Sequence, residues 1–170
     1  MLNDDQFREI HGKLASDGGF TVNPHSGEPV TSGISVAPRG NERKTLIVDS
    51  TPELLKAYHG ENTARFRQGA SLGGWRSEDS DYFDTPTVYP ATPAGHSDSR
   101  QQMVRAGQEA SFNLDSFTEE FNPFHPEGRR KSGRESHEIA DIAGRGPGGA
   151  EFAMRQPEVQ SWVNQPRGGR

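Results

Sequence analysis

Four carboxylates crowd one short stretch of this chain: Glu78, Asp79, Asp81 and Asp84. Carboxylates at such spacing supply hard oxygen ligands, so calcium is the first chemistry to test. An EF-hand loop needs glycine at its sixth position and glutamate at its twelfth. Counted from Asp79, those positions hold Asp84 and Pro90, and the pattern fails twice. A solvated hairpin turn, whose charges discourage edge pairing, is the expectation instead.

The six histidines (His11, His25, His59, His96, His125, His137) form neither H-x-x-x-H nor H-E-x-x-H. Serine, histidine and aspartate are all present, but no order in the sequence marks them as a catalytic set. Gly69 to Gly74 lacks the lysine and hydroxyl of a phosphate loop and precedes a strand pattern, where such a loop should open a helix. Gly144 to Gly149 follows no strand. Gly73-Gly74-Trp75, by contrast, puts two glycines inside a strand, which predicts a bulge or a close backbone approach. Glu119-Glu120 are adjacent, without the Glu-x-Glu loop of an ADP-ribosyltransferase. No catalytic, cofactor or metal residue is assigned from the sequence.

Composition bounds what remains. Of 170 residues, 29% are hydrophobic. Adding the 20 glycines gives about 41%, against roughly 45–50% in an ordinary globular chain. With 12 prolines, part of the chain is expected to stay outside any packed core. Cysteine is absent, which removes disulfides, thiolate metal sites and thiol nucleophiles. The acidic start carries no secretory pattern, and no run approaches the roughly 18 apolar residues of a membrane span, so a cytoplasmic location is expected. Net charge is −5. Residues 1–122 are acidic and the remainder mildly basic, so nucleic acid is not an expected partner of the acidic part.

Helices are predicted from Asn3 or Asp4 to Ala15, from a Ser50-Thr51-Pro52 start to about Gln68, and from Ser97 or Asp98 to about Gln108. Gly60 is the expected weak point of the second. Strands are expected at Phe20–Val22, Ile34–Ala37, Lys44–Asp49, Ser71–Arg76, Asp81–Tyr89 and Ser111–Asp115, with Pro86 marking an edge or bulge. The predicted fold is α+β: one small, largely antiparallel sheet of three to five strands, with two or three helices on one face. It would occupy residues 1–121. Residues 122–170, breaker-rich and carrying Arg129-Arg130-Lys131, read as a mostly disordered tail whose deletion should leave a cooperatively melting domain. Within that tail, His137 to Ala143 could form a helical turn or two, and two apolar islands, Phe152-Ala153-Met154 and Val159 to Val163, suit docking on a partner. The candidate partner-binding residues are Trp75, Phe152, Met154, Val159 and Trp162.

The segment Gly18-Gly19-Phe20-Thr21-Val22-Asn23-Pro24-His25-Ser26-Gly27-Glu28 resembles the opening of small uncharacterised proteins of actinobacterial phages, plasmids and integrated elements. The order Ser71-Leu72-Gly73-Gly74-Trp75, acidic turn, strand, Arg/Gln/Ala-rich helix and Ser111-Phe112-Asn113-Leu114-Asp115 extends the likeness over roughly residues 17–118. It implies an accessory mobile-element origin and supplies no catalytic residue. The resulting expectation is a non-enzymatic accessory or interaction protein that binds a host or element-encoded protein. The alternatives are a virion or assembly component whose tail orders against a capsid, or an enzyme whose site the sequence does not display.

Overall fold

The structure, a computed structural model, describes residues 2–38, 40–125 and 148–166. The basic cluster at 129–131, the turns expected at 137–143 and the final four residues lie outside them. The fold is α+β, as expected, but its strands fall into two four-stranded antiparallel sheets. The chain accordingly divides into two compact units. One comprises Met1–Thr31 and Gly40–Thr87, the other Ser32–Arg39 and Val88–Arg170. The expected boundary at 121/122 falls inside the second of these units.

In the first unit, helix α1 (Asp4–Ser16) is closed by a capping box in which the side chains of Asn3 and Gln6 each accept from the other's backbone N–H. Its buried stripe is Phe7, Ile10 and Leu14. The sheet is built from β1 (Gly19–Val22), β3 (Arg43–Leu46), β4 (Leu72–Arg76) and β5 (Ser80–Asp84), in the order β1-β4-β5-β3. Helix α2 (Pro52–Glu61) starts at a Thr51 cap with proline in its first turn, and α3 (Thr63–Arg67) follows it. Phe7, Ile10, Leu14, Leu55, Tyr58 and Phe66 pack with Val22, Leu72 and Phe83, so the helices cover one face of this sheet.

Three local expectations shift for identifiable reasons. The Lys44–Asp49 strand ends at Leu46 because its ladder partner begins at Ser80, opposite Leu46. Ile47 N–H then bonds Asp79 O, and Ile47–Asp49 coils into one 3₁₀ turn. The long helix breaks at Asn62 rather than Gly60, where the buried Asn62 amide turns back to donate to Tyr58 O at 2.9 Å. The Gly73-Gly74 pair produces no bulge, since β4 stays in continuous register with both neighbours. It provides close approach instead: a Cβ at Gly74 would meet Phe20 Cε1 at 2.6 Å, and one at Gly73 would meet Asp84 Oδ1 at 2.0 Å.

In the second unit, β2 (Ile34–Val36), β6 (Thr87–Tyr89), β7 (Ala110–Asn113) and β8 (Thr118–Phe121) form a sheet of order β6-β2-β7-β8. Helix α4 (Pro93–Ala106) is capped five or six residues earlier than the expected Ser97 or Asp98, with Thr92 capping Gly95 N–H and Pro93 in the first turn. Among the described residues two helices follow, α5 (Gly149–Met154) and α6 (Pro157–Val163). These are the two apolar islands. Ala153, Met154, Val159, Trp162 and Val163 pack with Ile34, Val36, Met103, Val104 and Phe124 into one core. An amphipathic island of this size buries its apolar side wherever a matching surface lies within reach of its own chain, and here that surface is α4 and β2.

Candidate functional site

The first sheet's other face carries a row of side chains set by register. Lys44 pairs with Tyr82, Tyr82 with Trp75, and Trp75 with Gly19, so these four positions share one face across all four strands. The Tyr82 and Trp75 rings are stacked, with centroids 4.1 Å apart and planes within 7°. Lys44 Nζ lies 5.4 Å from the Tyr82 centroid, a cation–π contact at one end of the stack. Trp75 is 43% exposed and Leu46, on the same face two residues beyond Lys44, is 52% exposed. Large aromatics in a sheet interior are normally covered, so this solvent-open stack is the first unit's clearest surface for recognition.

The next row along the same face carries Glu42, Asp84, Gly73 and Thr21. Glu42 hydrogen-bonds the Trp75 side chain, whose indole N–H donates to the carboxylate. Partial burial of its carboxyl raises the Glu42 pKa, against the opposing charge of Lys44. Asp84 is buried, and its Oδ1 accepts no hydrogen bond among the described residues. Burial, reinforced by the charge of Glu42, pushes the Asp84 carboxyl up to about 7. Beside it, Asn41 Nδ2 reaches Tyr58 Oη, Asn62 Oδ1 and Thr85 Oγ1 within 3.2 Å, while Tyr58 O–H donates to Asn41 O at 2.6 Å. Burial and then the charge of Asp84 drive the Tyr58 phenol well above its ordinary range, so it stays neutral.

A third polar group sits on the helix-covered face. His11 Nε2 lies 2.8 Å from Ser50 Oγ, and Ser50 in turn hydrogen-bonds Asp81. Arg76 grips Asp81 through Nε at 2.6 Å and Nη2 at 2.8 Å. Burial alone would raise Asp81, yet the hydrogen bonds from Arg76 and Ser50 hold it below the usual carboxylate range. The three residue types of a hydrolytic triad are therefore together, but the serine stands between histidine and aspartate. In a triad the histidine holds that middle place. This chain of bonds ties α1 to the segment before α2 and to the β4–β5 hairpin.

Burial lowers the His11 pKa, and the charges of Asp81, Arg76 and Glu53 modify that effect. A histidine depressed in the folded state stabilises the fold above its ordinary pKa of about 6.5, and that contribution is lost as pH falls through the folded value. Proton NMR titration should place the His11 midpoint below that of free histidine. A midpoint at or above it would mean that the imidazole is solvated or held charged by Asp81.

The acidic stretch thus splits. Glu78 and Asp79 are exposed in the hairpin turn, as expected, whereas Asp81 and Asp84 are buried. Among the described residues no group of three or more His, Asp or Glu could hold a metal ion. His59 donates through Nε2–H to Pro24 O, 2.8 Å away, and stacks on Phe66, which is a packing role. Of the residues expected to meet a partner, Trp75 and Phe152 are on the surface, the latter 51% exposed. Met154, Val159 and Trp162 are instead buried in the second unit's core. Their spacing correctly marked apolar faces but could not tell an internal partner from an external one. A second exposed aromatic pair, Phe112 and Phe117, meets edge to face with centroids 6.3 Å apart. Phe117 holds a left-handed backbone at φ 53° in the β7–β8 turn and is 77% exposed.

Comparisons of the chain with family models, curated proteins and solved structures returned no match. No helix among the described residues is long and apolar enough to cross a membrane.

Proposed function

We propose that this chain is a non-enzymatic interaction protein, an accessory of a phage or mobile element, that binds a host or element-encoded protein through the first sheet's aromatic face. The observation that carries the reading is the exposed Trp75–Tyr82 stack with Leu46 beside it. Tryptophan and tyrosine offer a large, stiff contact area and dominate the energetics of many interfaces. The resemblance over residues 17–118 supplies the mobile-element part of the reading. The virion alternative drew on a tail free to order against a capsid. With both apolar islands engaged inside the second unit, the first sheet's face is the better-supported contact.

Site-specific photocrosslinking in the native host tests this. A benzoylphenylalanine at Leu46 should capture a discrete partner, whereas one at the exposed Ala57 on α2 should not. Trp75→Ala should weaken the purified complex by about 2 kcal/mol, roughly thirty-fold in Kd. Equal capture at both positions, or an unchanged Kd, would remove the basis for the proposal.

A further inference from the structure

The Lys44–Tyr82–Trp75 row is finished at one end and open at the other. Lys44 stands over the outer face of Tyr82, and Tyr82 covers one face of the indole. The position that would cover the other indole face is Gly19, the cross-strand partner of Trp75 on the edge strand β1. Glycine has no side chain to offer, and none fits easily, since a Cβ there would approach Gly74 O at 2.9 Å and Trp75 Cα at 3.4 Å. Among the described residues no cation or aromatic ring is stacked on that face of Trp75, and the residue remains 43% exposed. The indole therefore presents a flat π surface above bare backbone.

Charge decides what chemistry suits it. Indole is the strongest cation–π acceptor among the side chains. Here its N–H is donated to the Glu42 carboxylate, which enriches the ring further. Glu42 lies in the next row, and Asp17 two residues before Gly19. The whole first unit contains eight Lys and Arg against thirteen Asp and Glu. The row already accepts a cation at its Lys44 end. A planar guanidinium stacks on an aromatic face more effectively than an ammonium and can hydrogen-bond a carboxylate from the same position.

Building on the interaction reading above, we infer that the surface over Gly19 receives an arginine side chain of the partner protein, stacked on Trp75. A partner using this site would present arginine on a loop segment that reaches the Gly19 end of β1, since the chain's own residues 28–30 already lie along the other end of that edge, with Val30 N–H bonded to Thr21 O and Pro29 bridged to Val22.

The test is calorimetry on the full chain with acetylated pentapeptides carrying two arginines, two lysines or two citrullines. The arginine peptide should bind at least ten-fold more tightly than the citrulline peptide and several-fold more tightly than the lysine peptide. Trp75→Leu and Gly19→Val, the second of which fills the surface over the backbone, should each weaken arginine binding ten-fold or more. Should Gly19→Val fail to fold by circular dichroism, Glu42→Gln replaces it, with an expected loss of about three-fold. Equal affinity for citrulline, or retained affinity in Trp75→Leu, overturns the assignment. If the Leu46 crosslink still captures a partner while the arginine peptide does not bind, the guanidinium inference falls and the interaction reading stands.

Discussion

Truncation after Phe121 is expected to abolish the cooperative melt of the second unit, and Trp162→Ala alone to cost about 3–5 kcal/mol. Met154, Val159, Trp162 and Val163 are all at most 8% exposed and lie in one core with Ile34, Val36, Met103 and Val104. Burying four such side chains is worth roughly 6–12 kcal/mol, comparable with the whole stability of a domain. Trp162 also packs edge-on against Phe124, with centroids 5.7 Å apart.

Arg100 makes the loss steeper. It is buried on α4, pairs with Glu120 at 2.8 Å and lies 5.5 Å from the Trp162 ring centroid. Its Nη1 donates to Trp162 O and Gln165 O. Truncation after Phe121 would take away two of its acceptors and the ring beneath it, leaving a buried cation under-satisfied. Denaturant melts of the full chain, the truncation and Trp162→Ala, followed by circular dichroism, measure this directly. Superimposable melts would restore the picture of a dispensable tail.

That picture came from composition, and the two apolar islands depart from it for a physical reason. Proline, glycine and arginine dominate the segment after Phe121, and mean composition does predict disorder over a long window. Two short amphipathic helices are diluted in such a mean. Yet Met154, Val159, Trp162 and Val163 carried the period of a buried helical face, and Pro157 is a helix-start residue. A different cause hid β8. Thr118-Glu119-Glu120-Phe121 has little apolar character because it is an edge strand paired on one side only.

Where local chemistry was unambiguous, the sequence was enough. The start of the first helix at Asn3–Asp4 and the Thr51-Pro52 start of the second are found as read. The functional face was legible only in part. Trp75 stood out by its type and its two preceding glycines, but its row partners Lys44, Tyr82 and Gly19 come from three other strands. Only the register assembles them. Burial of Asp84 was invisible for the same reason, since alternation places it beside Tyr82 without saying that Gly73 makes room for its carboxyl.

That carboxyl should give the protein an unusual pH response. A raised folded pKa means that the native state holds its proton more tightly than the unfolded chain. The contribution to stability is then complete below the unfolded value near 3.8 and is lost as pH rises through about 7. The interval corresponds to about 4 kcal/mol as an upper figure. Glu42, also raised, acts in the same direction, whereas His11, lowered by burial, acts in the opposite direction below about 6.5. The comparison that isolates Asp84 is therefore the difference between wild type and Asp84→Asn at each pH. An amide keeps the shape and never ionises. The variant should match wild type within about 1 kcal/mol near pH 4 and become progressively more stable than it toward pH 8, by several kcal/mol. Urea melts at half-unit pH intervals provide the measurement. Parallel curves from pH 4 to 8 would show that Asp84 ionises as easily in the fold as outside it, and that its carboxyl is solvated or paired there.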